Sequence, residues 1–96
     1  MIESFDDEAL QWLYTEGPSA RTKRIPSDIH SVIRRKLDML NAAHHIDDLR
    51  APPANRLQAL TGTLKGWLSI CVNDQWRIVF RWSNNSASCV SLKDYH

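Results

Sequence analysis

Apolar residues recur at helical intervals in the first half of this chain and at every second position in the second half. From Asp7 to Glu16, Leu10 and Leu13 share one side of a short helix that Gly17-Pro18 ends. Ser19 to Arg24 reads as a basic loop, and Pro26-Ser27 predicts a second helix start with Ser27 as its N-cap. Ile29, Val32, Ile33, Leu37, Leu40 and Ala43 then form one apolar stripe, with Arg34, Arg35, Asp38 and Asn41 facing outward. Ile46 to Arg50 adds a turn before Ala51-Pro52-Pro53 breaks the pattern.

From Arg56 the period is two. Trp67 to Val72 predicts a strand with Leu68, Ile70 and Val72 on one face. Asn73-Asp74 predicts a two-residue hairpin turn, because both residue types accept positive φ. The return strand, Gln75 to Trp82, puts Trp76, Ile78, Phe80 and Trp82 on one face and Arg77, Val79 and Arg81 on the other. Ser83 to Ser86 makes a second turn. The last strand, Ser88 to Tyr95, has Val90 and Leu92 on the core side and Cys89, Ser91, Lys93 and Tyr95 opposite. Helices first and an antiparallel meander after them predict an α+β fold, with two N-terminal helices on one face of a mainly antiparallel sheet.

Composition adds boundaries to this picture. Ninety-six residues with 43% apolar and 24% charged side chains fit a single globular domain spanning 1–96. The acidic start, Met1 to Glu8, does not resemble a signal peptide, and no run has the length to cross a bilayer. Cys71 and Cys89 fit no metal spacing and read as core or near-core thiols of a cytoplasmic protein.

A net charge of +1 conceals an uneven division. Residues 1–49 carry six Lys/Arg against nine Asp/Glu, whereas residues 50–96 carry six against two. The expected outward sheet face gathers Arg77, Arg81, Lys93 and Tyr95. That fits a nucleic-acid surface, and it equally fits a solvated sheet face. Lys23, Arg24, Arg34 and Arg35 carry the same two readings. His44-His45 diverge by about 100° on a helix and have no carboxylate or cysteine at a ligand spacing, so they read as a solvated helix end. His30 reads as exposed, and Trp12 and Trp82 as core or interface residues.

One set of segments narrows the choice. Asn55-Arg56-Leu57, Leu60-Thr61-Gly62, Gly66 to Ile70, Asn73 to Ile78 and the closing Asp94-Tyr95-His96 together resemble the HigB toxins of the RelE/ParE superfamily. Met1 to Phe5 and Lys36 to Ala43 fit as well, and Pro52 to Leu57 is similar to the GraT-type subgroup. The ParE branch poisons DNA gyrase and shares the fold, but does not typically close on Asp-Tyr-His. The resemblance implies a ribosome-dependent messenger RNA endonuclease with no metal or organic cofactor. It implies a helix-turn-helix antitoxin of the HigA type as partner, operator DNA only through that antitoxin, and no membrane.

The resemblance also implies the site. Such an enzyme lets the RNA 2′-hydroxyl attack the adjacent phosphate, which calls for proton transfer and for positive charge on the transition state. His96 is the proton-transfer candidate, because imidazole titrates near neutrality and Asp94 favours its charged form. Arg77 offers a planar fork to phosphate oxygens, and Tyr95 a ring or a hydroxyl. Arg56, Gln58, Lys65, Gln75, Lys23 and Arg24 are candidate RNA contacts. Many relatives carry His-Pro-Leu-Lys-Gly where this chain has Gln58-Ala59-Leu60-Thr61-Gly62. Gln58 cannot shuttle a proton and Thr61 adds no charge, so a mild toxin is expected. Two alternatives remain: a non-enzymatic inhibitor like the gyrase-poisoning branch, and a weakly active co-repressor acting with its antitoxin.

Overall fold

Asp7 starts the first helix by accepting the Leu10 backbone N–H on its carboxylate at 3.1 Å. This helix, α1 (Glu8–Thr15), buries Leu10 and Leu13. It stops at Gly17, whose φ of 91° lets its N–H reach back to the carbonyls of Trp12 and Leu13. The computed structural model describes residues 1–95; His96 lies outside the described residues.

The second helix, α2 (His30–Ala42), begins later than the sequence predicts. Ser27 makes no side-chain cap; Ser27–Ile29 is a 3₁₀ turn in which the Ile29 N–H reaches the Pro26 carbonyl at 3.2 Å. That tight turn satisfies a donor a cap would otherwise take. His30 is half-buried rather than exposed, because its Nε2 sits 2.8 Å from the Ile25 carbonyl oxygen. The stripe itself holds, with Ile29, Ile33, Leu37, Leu40 and Ala43 buried and Val32 half-buried. Lys36 also falls within it. Ile46–Arg50 forms one 3₁₀ stretch, whose first turn is closed by Asp48 accepting the backbone N–H groups of His44 and His45. Both histidines are exposed there.

Among the described residues the sheet has four strands in the order β1 (Gln58–Ala59), β2 (Leu68–Cys71), β3 (Trp76–Ser83) and β4 (Ser86–Asp94). Every neighbouring pair is antiparallel. The turn at Asn84-Asn85 takes positive φ at both residues, as a two-residue hairpin needs. Asn73-Asp74 does not. There the Asn73 side-chain oxygen accepts the backbone N–H groups of Gln75 and Trp76 at 2.9 and 2.8 Å, building a wider turn. Cys89 adopts φ 54° where the β3–β4 ladder shifts register, a β-bulge.

One apolar cluster joins both helices to the inner sheet face: Leu10, Leu13, Ile33, Leu37 and Leu40 pack with Ile70, Ile78, Phe80, Val90 and Leu92. The chain start adds a feature absent from the periodicity. Ile2 and Phe5 form parallel bridges to Ala87 and Val90, and hydrogen bonds from residues 1–6 cover the free edge of β4. A bare edge would invite pairing with another chain.

Candidate active site

Strand pairing arranges the outward sheet face in rows, because directly opposed residues point the same way. One row runs Gln58, Ser69, Val79, Ser91; the next runs Cys71, Arg77, Lys93. Beyond it, the Tyr95 N–H reaches the Gln75 carbonyl oxygen at 2.6 Å, which continues the ladder. At the other end the Arg81 guanidinium stands 5.4 Å from the centre of the Trp67 ring. The face is therefore not the uniformly solvated surface that alternation alone allows. Its small central residues, Ser69, Val79 and Ser91, are buried between longer cationic and aromatic neighbours.

Arg77 occupies the centre of this arrangement, and two hydrogen bonds fix its guanidinium. Nε donates to the Ser69 hydroxyl at 2.8 Å, and Nη2 donates to the Arg56 carbonyl at 2.7 Å. Ser69 is fully buried. A guanidinium has five N–H donors, so among the described residues the end formed by Nη1 and the second Nη2 hydrogen is left for a ligand. Two parallel donors at that end match two oxygens of a phosphate.

Arg56 has a left-handed backbone (φ 45°, ψ 54°), which turns its carbonyl toward Arg77 while its side chain is exposed. Gln58 is exposed on the row next to Arg77, and its strand partner is Ser69. Lys65 is exposed after the short 3₁₀ turn Gly62–Leu64. Gln75 reaches Asp94, with Nε2 donating to Oδ2 at 3.1 Å. Asp94 pairs across the ladder with Trp76, so its side chain leaves the strand toward the helix-bearing side rather than alongside Arg77. Tyr95 is 45% exposed. The His96 candidate lies outside the described residues.

The basic loop lies apart from this centre. Arg24 is engaged by Asp7, while Lys23 is exposed. Arg24 and Lys93 line one cleft of about 1100 Å³ between α1 and β4, together with Trp12, Arg21, Ser91 and the acidic Asp6 and Glu8. Arg21 is stacked on Trp12, its guanidinium carbon 4.4 Å from the ring centre. Burial opposes the Asp7 charge, but Arg24 and the N–H groups of Leu92 and Leu10 overcome it and hold the carboxyl below its usual range. Arg24 thus has a structural partner of its own.

The sequence did not single out Ser69, and it marked Arg56 only as a candidate RNA contact. Ser69 is a small polar residue on the outer side of an otherwise apolar strand, a pattern that signals a close neighbour only once the pairing is known. The Arg56 contribution is a backbone carbonyl, which carries no side-chain signature.

Comparison with known proteins bears on the fold and the family. A chain of the YoeB–YefM complex from Staphylococcus aureus superposes with a TM-score of 0.61 at 16% identity, covering 100% of this chain and 95% of that one. This likeness shows the fold. Toxin HigB-1 of Vibrio cholerae serotype O1 is 44% identical over 87 residues, which is 91% of this chain and 90% of that protein. A Proteus vulgaris protein named Endoribonuclease HigB is 31% identical over 96 residues, covering both chains fully. The family model for the RelE-like toxin HigB of type II toxin–antitoxin systems matches residues 3–96. With that match over nearly its whole length, the chain belongs to the HigB-like toxins, RelE-like toxins of type II toxin–antitoxin systems.

Proposed function

We propose that this toxin is an endoribonuclease that cuts messenger RNA on the ribosome, by attack of the RNA 2′-hydroxyl on the adjacent phosphate. The observation that carries the reading is Arg77: a guanidinium fixed by Ser69 and Arg56, with a two-donor end left for phosphate, among Arg81, Lys93 and Tyr95. A preorganised cation costs little reorganisation when charge develops on the phosphorane-like transition state. Arg77 takes that role. Tyr95, exposed at the end of β4, stacks on a base or donates to phosphate. Proton transfer falls to His96 on the chemistry of imidazole, and Asp94 acts by supporting its charge.

Arg56, Gln58 and Lys65 bound the same face and contact the RNA backbone; Gln75 orders Asp94. Arg24, which lines the cleft that Lys93 shares, and the neighbouring exposed Lys23 make further RNA contacts. Gln58 and Thr61, in place of a histidine and a lysine, make the enzyme slow. The partner is a HigA-type antitoxin that carries the pair to operator DNA in the cytoplasm. The name of the Proteus vulgaris relative supports the ribonuclease reading.

The test uses purified toxin, ribosomes programmed with a defined messenger, and the same messenger alone. Cleavage is expected on the ribosome, with loss of cutting when the nucleotide 5′ of the break lacks its 2′-hydroxyl. Uncut messenger on the ribosome, together with inhibition of gyrase supercoiling, would replace this reading with a gyrase-directed toxin.

A further inference from the structure

A lysine in the buried stripe of a helix is costly unless something receives its charge. Lys36 of α2 is only 5% exposed, and its Nζ donates to the Asn55 side-chain oxygen. Asn55 is itself fully buried. Its Nδ2 donates to the carbonyls of Leu49 at 3.2 Å and Ala51 at 3.5 Å, and its backbone N–H to Pro52 at 2.9 Å. Burial lowers the Lys36 pKa, and neighbouring Arg35 lowers it further. Such an arrangement is not the cheapest way to pack a helix on a loop, since apolar side chains of similar volume do so without a desolvation cost.

The residue after Asn55 explains where that cost is directed. Arg56 holds a left-handed backbone with a full side chain, a conformation that persists only where its surroundings enforce it. The Arg56 carbonyl, so oriented, receives Nη2 of Arg77. We infer that Asn55, braced by Lys36 from α2, is a positioning residue for Arg77: it locks the Arg56 peptide so that its carbonyl aims the guanidinium outward. Ser69 holds Nε of the guanidinium, and the carbonyl of the Arg56–Leu57 peptide, aimed by the left-handed turn that follows Asn55, holds Nη2. Arg77 thereby reports the seating of α2 against the 51–56 loop.

This inference rests on the reading of Arg77 as the phosphate-facing cation, and the experiment separates the two. Nitrogen-15 spectra of the full chain follow the Arg77 Nε–Hε group, assigned by its loss in Arg77→Lys. Parallel single-turnover assays follow cleavage on programmed ribosomes. The parent should show an ordered group, with an order parameter near about 0.85, falling below about 0.6 in Asn55→Ser and Lys36→Met. Cleavage in both should drop on the order of 10²-fold, with the toxin concentration at half-saturation nearly unchanged. Lys36→Arg should recover most of the order. Where Asn55→Ser does not fold, Lys36→Gln, uncharged and helix-compatible, decides in its place. An unchanged Arg77 signal in the folded Asn55 and Lys36 variants overturns the inference, and leaves Ser69 as the anchor if Ser69→Ala does lose order. A parent that shows the ordered signal yet cuts no RNA overturns the ribonuclease reading and leaves the positioning result standing.

Discussion

Asp7 and Arg77 are both charged residues held by several hydrogen bonds against β-strands, and they differ in how much of their capacity the fold consumes. Asp7 gives its two oxygens to the Leu10 N–H, the Leu92 N–H and Arg24, and it is buried. Arg77 gives two donors of its guanidinium to Ser69 and Arg56 and remains half-buried. The first is a closed joint tying α1 to β4. The second is a mounted group with one end unspent. A charge spent inside the protein stabilises it, whereas a charge fixed but not exhausted is available to a ligand.

The sharpest way to break the comparison is at the unspent group. Arg77→Ala should reduce ribosome-bound cleavage about 10³-fold, measured by single-turnover assay. It should cost about 1 kcal/mol of stability, because the buried Ser69 hydroxyl loses its donor. Near-parental cleavage would make Arg77 a structural residue like Asp7. His96→Ala should follow with a loss of about 10²-fold and removal of one limb of the pH–rate profile; a profile of unchanged shape would move the proton-transfer role elsewhere.

The closed joint should respond in the opposite currency. Asp7→Ala should cost about 2–3 kcal/mol through the lost cap and ion pair, seen in urea melts, while cleavage per folded molecule stays at the parental level. Its folded carboxyl is held low, so its contribution is present above roughly pH 4 and is lost as pH falls through the depressed value. The parent should therefore lose more stability than Asp7→Asn on acidification. The smallest effect is expected from Gln58→His. A histidine on the row beside Arg77 should raise cleavage about tenfold and add a pH-dependent limb. An unchanged rate would show that proton transfer at this position is not limiting.

Much of the architecture was legible because it follows from burial. The α2 stripe, the inward faces of β2, β3 and β4, and the Asn84-Asn85 turn all express a periodicity or a φ preference. The departures arise where polar groups act locally or through partners distant in sequence. Asn73 organises its turn through its side chain, which residue type alone does not distinguish from a two-residue turn. Residues 1–6 are too short to show alternation, so their run along β4 was invisible. In the candidate site, the sequence pointed to Arg77, Tyr95 and Gln58 through alternation and family likeness. The anchors of Arg77 were hidden, one in a small serine and one in a main-chain carbonyl. Lys36 was available to a closer reading: its spacing from Ile33 and Leu40 places it within the apolar stripe.

The bulge at Cys89 separates two ladders of the same hairpin. Near the turn, Arg81, Trp82 and Ser83 pair in one register; beyond the bulge, residues 76–79 pair with 91–94 in another. In a regular hairpin a one-residue change at the tip would propagate along both strands and turn Lys93 to the opposite face. Here the bulge absorbs a mismatch before it reaches the lower ladder. The hairpin tip at Asn84-Asn85 is thus ground on which insertions and loop exchanges can accumulate, while the row bearing Arg77 and Lys93 keeps its alignment.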